Sequence, residues 1–156
     1  KPQIKRDLLF TGFDKGRAEK LKVISDTLCK NGVTFEFNIL ATDKEFEPGS
    51  GFNKLSGFMH YKDVLSKTFQ SKCVLELLQE GQTGLTTRSL EALFLGKKLL
   101  TNNKAIKERD FYRPENIFVL GEDDSDSFAQ FLNTPTVPVD DSLKHYYTFD
   151  GWIERI

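Results

Sequence analysis

The residues with the clearest chemical potential are Gln79-Glu80-Gly81-Gln82-Thr83-Gly84-Leu85-Thr86-Thr87-Arg88-Ser89-Leu90-Glu91. An apolar run, residues 73–78, ends in a turn that carries Gly81 and Gly84. The turn then opens an amphipathic pattern. Free backbone amides at a helix start, with the helix dipole behind them, attract an anion such as phosphate. The guanidinium of Arg88 can pair with phosphate oxygens. The carboxylate of Glu91 can accept hydrogen bonds from two sugar hydroxyls. Glu91 lies about 6 to 8 Å along the axis from the first turn, at 1.5 Å per residue, which is about the span from a diphosphate to its ribose. Small and hydroxyl residues (Thr83, Thr86, Thr87) and Leu85 complete the group. The competing reading is an ordinary Arg88–Glu91 helix ion pair on the surface. The glycine turn in front of it favours a ligand.

Around this turn, strands and helices alternate. Residues 8–13 form a short apolar run that reads as a buried strand. Ala18, Leu21, Ile24, Leu28 and Cys29 follow at helical spacing, with Gly32 just beyond as a helix stop. Residues 33–40 read as a second strand, giving a right-handed parallel βαβ unit. Residues 42–57 read as a loop and 58–60 as a short strand. A helix is expected over 61–71, with Tyr61, Val64, Leu65 and Phe69 on one side. Residues 73–78 form a strand, and a helix over about 86–95 buries Leu90, Leu93 and Phe94 and stops at Gly96. Strands follow at 98–101 and 117–120. Residues 122–126 are acidic and read as a solvated turn and helix start, with Phe128, Phe131 and Leu132 on a short helix. The tail from 143 onward reads as helical, broken near Asp150-Gly151. This alternation is the mark of an open parallel α/β sheet, Rossmann-like, with helices on both faces. Ligands of such sheets bind beyond the carboxyl ends of the strands.

Other residues carry weaker signals. Asn102, Asn103 and Lys104 follow a strand and either line a pocket or cap a helix. Asp14 is a site residue or, more ordinarily, a helix N-cap. Tyr61 stacks on a base or, more ordinarily, packs in the core. Lys97 and Lys98 suit the C-terminal dipole of the preceding helix. Residues 12–16 hold Gly-x-x-x-Gly, which is not the dinucleotide fingerprint, and no Walker A sequence occurs.

Composition narrows the classes. The 156 residues favour one domain over 1–156. A net charge of −1 and a pI near 6.2 leave no electrostatic footprint for nucleic acid. No apolar run approaches the roughly 20 residues that cross a bilayer. Cys29 and Cys73 both sit in apolar patterns and are expected to be buried thiols of a cytoplasmic protein. Two histidines and two separated cysteines do not make a structural zinc site. The chain opens on Lys1 without a Met, as expected of a piece of a longer protein whose missing part lies upstream.

The stretch 81–93, followed by Gly96-Lys97-Lys98-Leu99-Leu100-Thr101-Asn102-Asn103, resembles bacterial glycosyltransferases of capsule, O-antigen and lipopolysaccharide synthesis. Residues 110–117 and 147–153 are similar to the same group. The resemblance implies the C-terminal, donor-binding half of a GT-B architecture, in which two Rossmann-like halves face a cleft. It implies a nucleotide-diphosphate sugar as substrate with no further cofactor and no metal. The diphosphate would lie on Gly81, Thr83, Gly84, Leu85, Thr86, Thr87 and Arg88, and the ribose on Glu91. The other partners implied are a missing N-terminal acceptor domain and a lipid-linked or polysaccharide acceptor, at the inner membrane face through the full-length protein. Many retaining members carry Glu-x7-Glu, whereas the position eight before Glu91 is Thr83. The anomeric outcome and the catalytic base therefore stay open. Two rivals stand beside this reading. A signalling receiver domain needs an acidic pair after the first strand and an Asp ending the central one, but Asp14 is alone and 73–79 lacks Asp. A non-catalytic α/β interaction domain with a decayed pocket is the other.

Overall fold

A computed structural model describes residues 2–40 and 51–156. Its centre is a six-stranded sheet: β1 Arg6–Phe13, β2 Phe35–Leu40, β3 Phe52–Leu55, β4 Ser71–Glu76, β5 Lys98–Thr101 and β6 Ile117–Val119. The strand order is β3-β2-β1-β4-β5-β6, and every neighbouring pair is parallel. Leu8 is flanked by Phe35 on one side and Cys73 on the other. The order reverses direction between β1 and β4, which makes their carboxyl ends the switch point where ligands of such sheets settle. The helices are α1 Ala18–Lys30, α2 Tyr61–Phe69, α3 Thr87–Leu95, α4 Phe128–Asn133, α5 Asp141–Tyr146 and α6 Phe149–Ile153.

Side chains alternate across the sheet, so consecutive residues serve different cores. Cys73 and Leu75 of β4, Leu100 of β5 and Phe118 of β6 face α1 and α4, joining Leu21, Leu28, Phe128 and Phe131. Val74, Leu99, Ile117 and Val119 face the other way, against Ala92 and Leu93 of α3. Burying a side chain such as Leu21 or Leu28 contributes about 1.5–3 kcal/mol. Under α2 the second face turns polar. Glu36 pairs with Arg6 at 2.7 Å and Lys67 at 2.5 Å. Asn38 donates to Glu36 at 3.0 Å and accepts from Asn53 at the same distance. This polar ladder crosses β1, β2 and β3.

The α/β architecture agrees with the sequence expectation, and several details do not. Residues 52–55, read as loop, form β3; the rest of that expected loop falls largely on residues 41–50, outside the described ones. Residues 58–60 form no strand. α2 ends at Phe69 because Ser71 already belongs to β4. The tail breaks at Tyr147-Thr148, and Gly151 lies inside α6. Thr148 Oγ1 there accepts from the Gly151 amide at 3.0 Å and starts a new helix. Cys29 is exposed on α1, while Cys73 is buried and its thiol pKa is pushed up by desolvation. Among the described residues no helix is long and apolar enough to cross a membrane.

Candidate functional site

The glycine turn leaves β4 at the switch point. Gly81 has φ +79° and Gly84 φ +89°, values that L side chains rarely adopt. A Cβ added at either would meet nothing within 4 Å. Conformation, not crowding, therefore calls for glycine, and the space beside both is open.

The turn ends in a capping box. Thr86 Oγ1 accepts from the amides of Arg88 at 3.1 Å and Ser89 at 3.4 Å, and Ser89 Oγ accepts from the Thr86 amide at 3.1 Å. Three amides at the helix start, the Thr86 amide expected for an anion among them, are thereby taken within the protein. The amides of Thr83, Gly84, Leu85 and Thr87 have no acceptor among the described residues. The Gly81 amide likewise has none there. The Leu85 side chain packs on the α3 core, so its contribution at the edge is the backbone.

Neighbouring residues hold the turn rigid, and sequence reasoning missed most of them. Asn102 Oδ1 accepts from the Leu78 amide at 2.7 Å, and Asn102 Nδ2 donates to the Leu78 carbonyl at 3.2 Å. Asn103 Nδ2 donates to the Gly84 carbonyl at 3.0 Å. Both asparagines brace the turn, and Asn103 also stands at the N-cap position of the 3-10 helix Lys104–Glu108 without capping it by its side chain. Glu76, buried at the end of β4, accepts from the hydroxyls of Thr86 and, at 2.6 Å, Thr101. Arg17 spans the switch point: Nη1 donates to the Leu77 carbonyl at 2.6 Å and Nη2 to the Phe13 carbonyl at 2.5 Å. Burial lowers its pKa, opposed by the nearby charge of Asp14. The signal that could have found Arg17 is its place one turn after the first strand. Asp14 is not the N-cap of α1, a position held by Arg17; its Oδ1 accepts from the Lys15 amide at 2.5 Å. Lys97, half-buried after α3, donates to the carbonyls of Phe69 and Ser71. Lys98 is buried and donates to the Glu115 carbonyl.

On α3, the buried face differs from the expected stripe. Glu91 is only 8% exposed, Leu90 is half-buried, and Phe94 is 39% exposed. A buried carboxylate needs a partner, and Arg88 Nη1 supplies one at 2.6 Å from Glu91 Oε2. Arg88 Nη2 donates to the Thr11 carbonyl of β1 at 3.1 Å. Thr87 is exposed beside this pair. Tyr61 was expected to pack in the core but is 60% exposed at the start of α2. Partial desolvation and the nearby Glu91 carboxylate raise its phenol pKa. Phe58, 82% exposed, meets Phe13 edge-on at 5.5 Å. Lys15, at φ +40°, places its ammonium 5.3 Å from the Phe13 ring. One edge of the sheet thus gathers unpaired amides, a paired carboxylate, a cation and exposed aromatic rings.

No family model and no curated protein sequence matches the chain. Among solved structures it is similar to AviGT4, a glycosyltransferase involved in avilamycin A biosynthesis, with a TM-score of 0.62 and 18% identity. That alignment covers 98% of this chain and 50% of AviGT4, so the chain spans about half the length of that protein. It is also similar to the C-terminal domain of a glycosyl transferase group 1 family protein, LpcC, from Francisella tularensis. There the TM-score is 0.52 at 16% identity, covering 97% of this chain and 84% of the other. The chain has the Rossmann-like α/β fold of these glycosyltransferase domains.

Proposed function

We propose that this chain is the donor-binding half of a nucleotide-sugar-dependent glycosyltransferase that serves bacterial surface polysaccharide synthesis. The observation that carries the reading is the shared edge at the β1/β4 switch point, where the unpaired amides of Thr83, Gly84, Leu85 and Thr87 stand ahead of the Arg88–Glu91 pair. The amides receive the diphosphate and the Glu91 carboxylate receives the ribose hydroxyls. Fixed amides around a departing diphosphate stabilise the charge that develops as the glycosidic bond to it breaks, and no reorganisation is needed at that moment. Holding the sugar in one orientation supplies the rest. The acceptor and its activating base belong to the other half of the enzyme.

The strand order weighs against a receiver domain, whose flavodoxin-like order is 2-1-3-4-5, in contrast to the order seen here. A non-catalytic binding domain is separated by calorimetry with uridine and guanosine diphosphates. One of them binds, and Glu91→Ala weakens it by roughly 1–3 kcal/mol, the scale of a lost charge-assisted hydrogen bond. Absence of binding by both nucleotides, or an unchanged Glu91→Ala affinity, refutes the proposal.

A further inference from the structure

Among the described residues the Arg88 guanidinium has two fixed contacts, and neither leads to the glycine turn. Nη1 meets Glu91 Oε2 at 2.6 Å, and Nη2 meets the Thr11 carbonyl at 3.1 Å, 77 residues away in sequence. A guanidinium is planar and rigid, so two such contacts fix its plane. Thr11 is itself fixed. It pairs with Asn38 across the β1–β2 ladder, and Asn38 is held by Glu36 and Asn53. An exposed helix ion pair exchanges partners freely and contributes little. This one is largely covered, with side-chain exposures of 25% for Arg88 and 9% for Glu91. The Glu91 carboxylate is therefore referenced to the first strand as well as to its own helix. Tyr61 borders it from α2.

We infer that Arg88 is a positioning residue that aims the Glu91 carboxylate at the ribose hydroxyls, and that it is not a ligand of the diphosphate. The inference rests on the donor-site reading above. It alters the role that the sequence resemblance implies for Arg88.

The test compares phosphate-bearing and phosphate-free probes. Uridine and guanosine diphosphates are titrated by calorimetry. Uridine and guanosine, and the 2′-deoxy diphosphates, are followed by ligand-observed NMR. Arg88→Gln should weaken nucleoside and nucleoside diphosphate by the same factor, about tenfold, the scale of one lost charge-assisted contact. It should also bring the preference for ribose over deoxyribose close to one. Glu91→Gln should do the same, and the double variant should be no weaker than Glu91→Gln alone. A loss confined to the diphosphates, an intact ribose preference, or additive losses in the double variant overturns the inference. Should Arg88→Gln fail to fold, Arg88→Lys is read by the same criteria, since lysine keeps the charge and lacks the fork. Failure of the donor-site reading looks different: the unaltered protein then binds neither diphosphate.

Discussion

Thr86→Ala tests how the turn is held. The Thr86 hydroxyl accepts from the Arg88 and Ser89 amides and donates to Glu76. Loss of an N-cap costs about 1 kcal/mol. Loss of a hydrogen bond to a charged group costs about 1.5–3 kcal/mol more. Glu76 keeps its Thr101 contact at 2.6 Å, so its charge is not fully orphaned. The sum is about 2.5–4 kcal/mol, a large share of the roughly 5–15 kcal/mol that holds a domain folded. For a chain of this size that lowers the Tm by roughly 5–15 °C. Urea unfolding followed by circular dichroism measures the loss, with an unchanged denaturant slope showing a pure stability effect. Thr86→Ser keeps the oxygen and should stay within about 0.5 kcal/mol of the parent. In a Glu76→Gln background the alanine penalty should shrink toward the cap alone, because the charged acceptor is gone. Equal effects of Ala and Ser, or an alanine loss below about 1 kcal/mol, would refute the reasoning.

Three further outcomes are expected. Asn102→Ala leaves the Leu78 amide without its 2.7 Å acceptor; it should cost about 1–3 kcal/mol in urea unfolding and loosen nucleotide binding at the turn. A thiol reagent should modify Cys29 alone in the native protein and both cysteines in denaturant, counted by mass spectrometry. Burial alone would raise the Glu36 pKa, but hydrogen bonds from Lys67 and Asn38 and the charge of Arg6 outweigh it and hold it below 4.5. Its stabilisation is thus present above that value and lost as pH falls through the lower folded pKa, and Glu36→Gln should flatten that limb of a stability–pH curve.

The sequence was most readable where periodicity and punctuation agree. Lys98–Thr101 was placed to the residue, and α3 begins after the threonine that caps it and stops at Gly96. Its buried face was not readable, because Glu91 is covered beside Arg88, and Arg88 in turn is tied to the Thr11 carbonyl, a contact that only the folded sheet supplies. Likewise β3 has two exposed residues among its four and lacks the apolar run that marks a buried strand. The open turn after β4 was legible from Gly81 and Gly84. Its braces were not: Glu76, Asn102 and Arg17 act on backbone and hydroxyl groups that the chain brings near only by pairing β1, β4 and β5.

The place of β1 bears on how the chain is made. Both of its ladder partners, Phe35–Leu40 and Ser71–Glu76, lie downstream. During synthesis one flank of β1 therefore stays bare until the ribosome has released the chain past Glu76. A product cut short before Ser71 carries that bare flank into solution, where an open row of amides and carbonyls recruits strands from other molecules. Vectorial folding of this sheet is thus gated by β4, and truncations before it should end in aggregates.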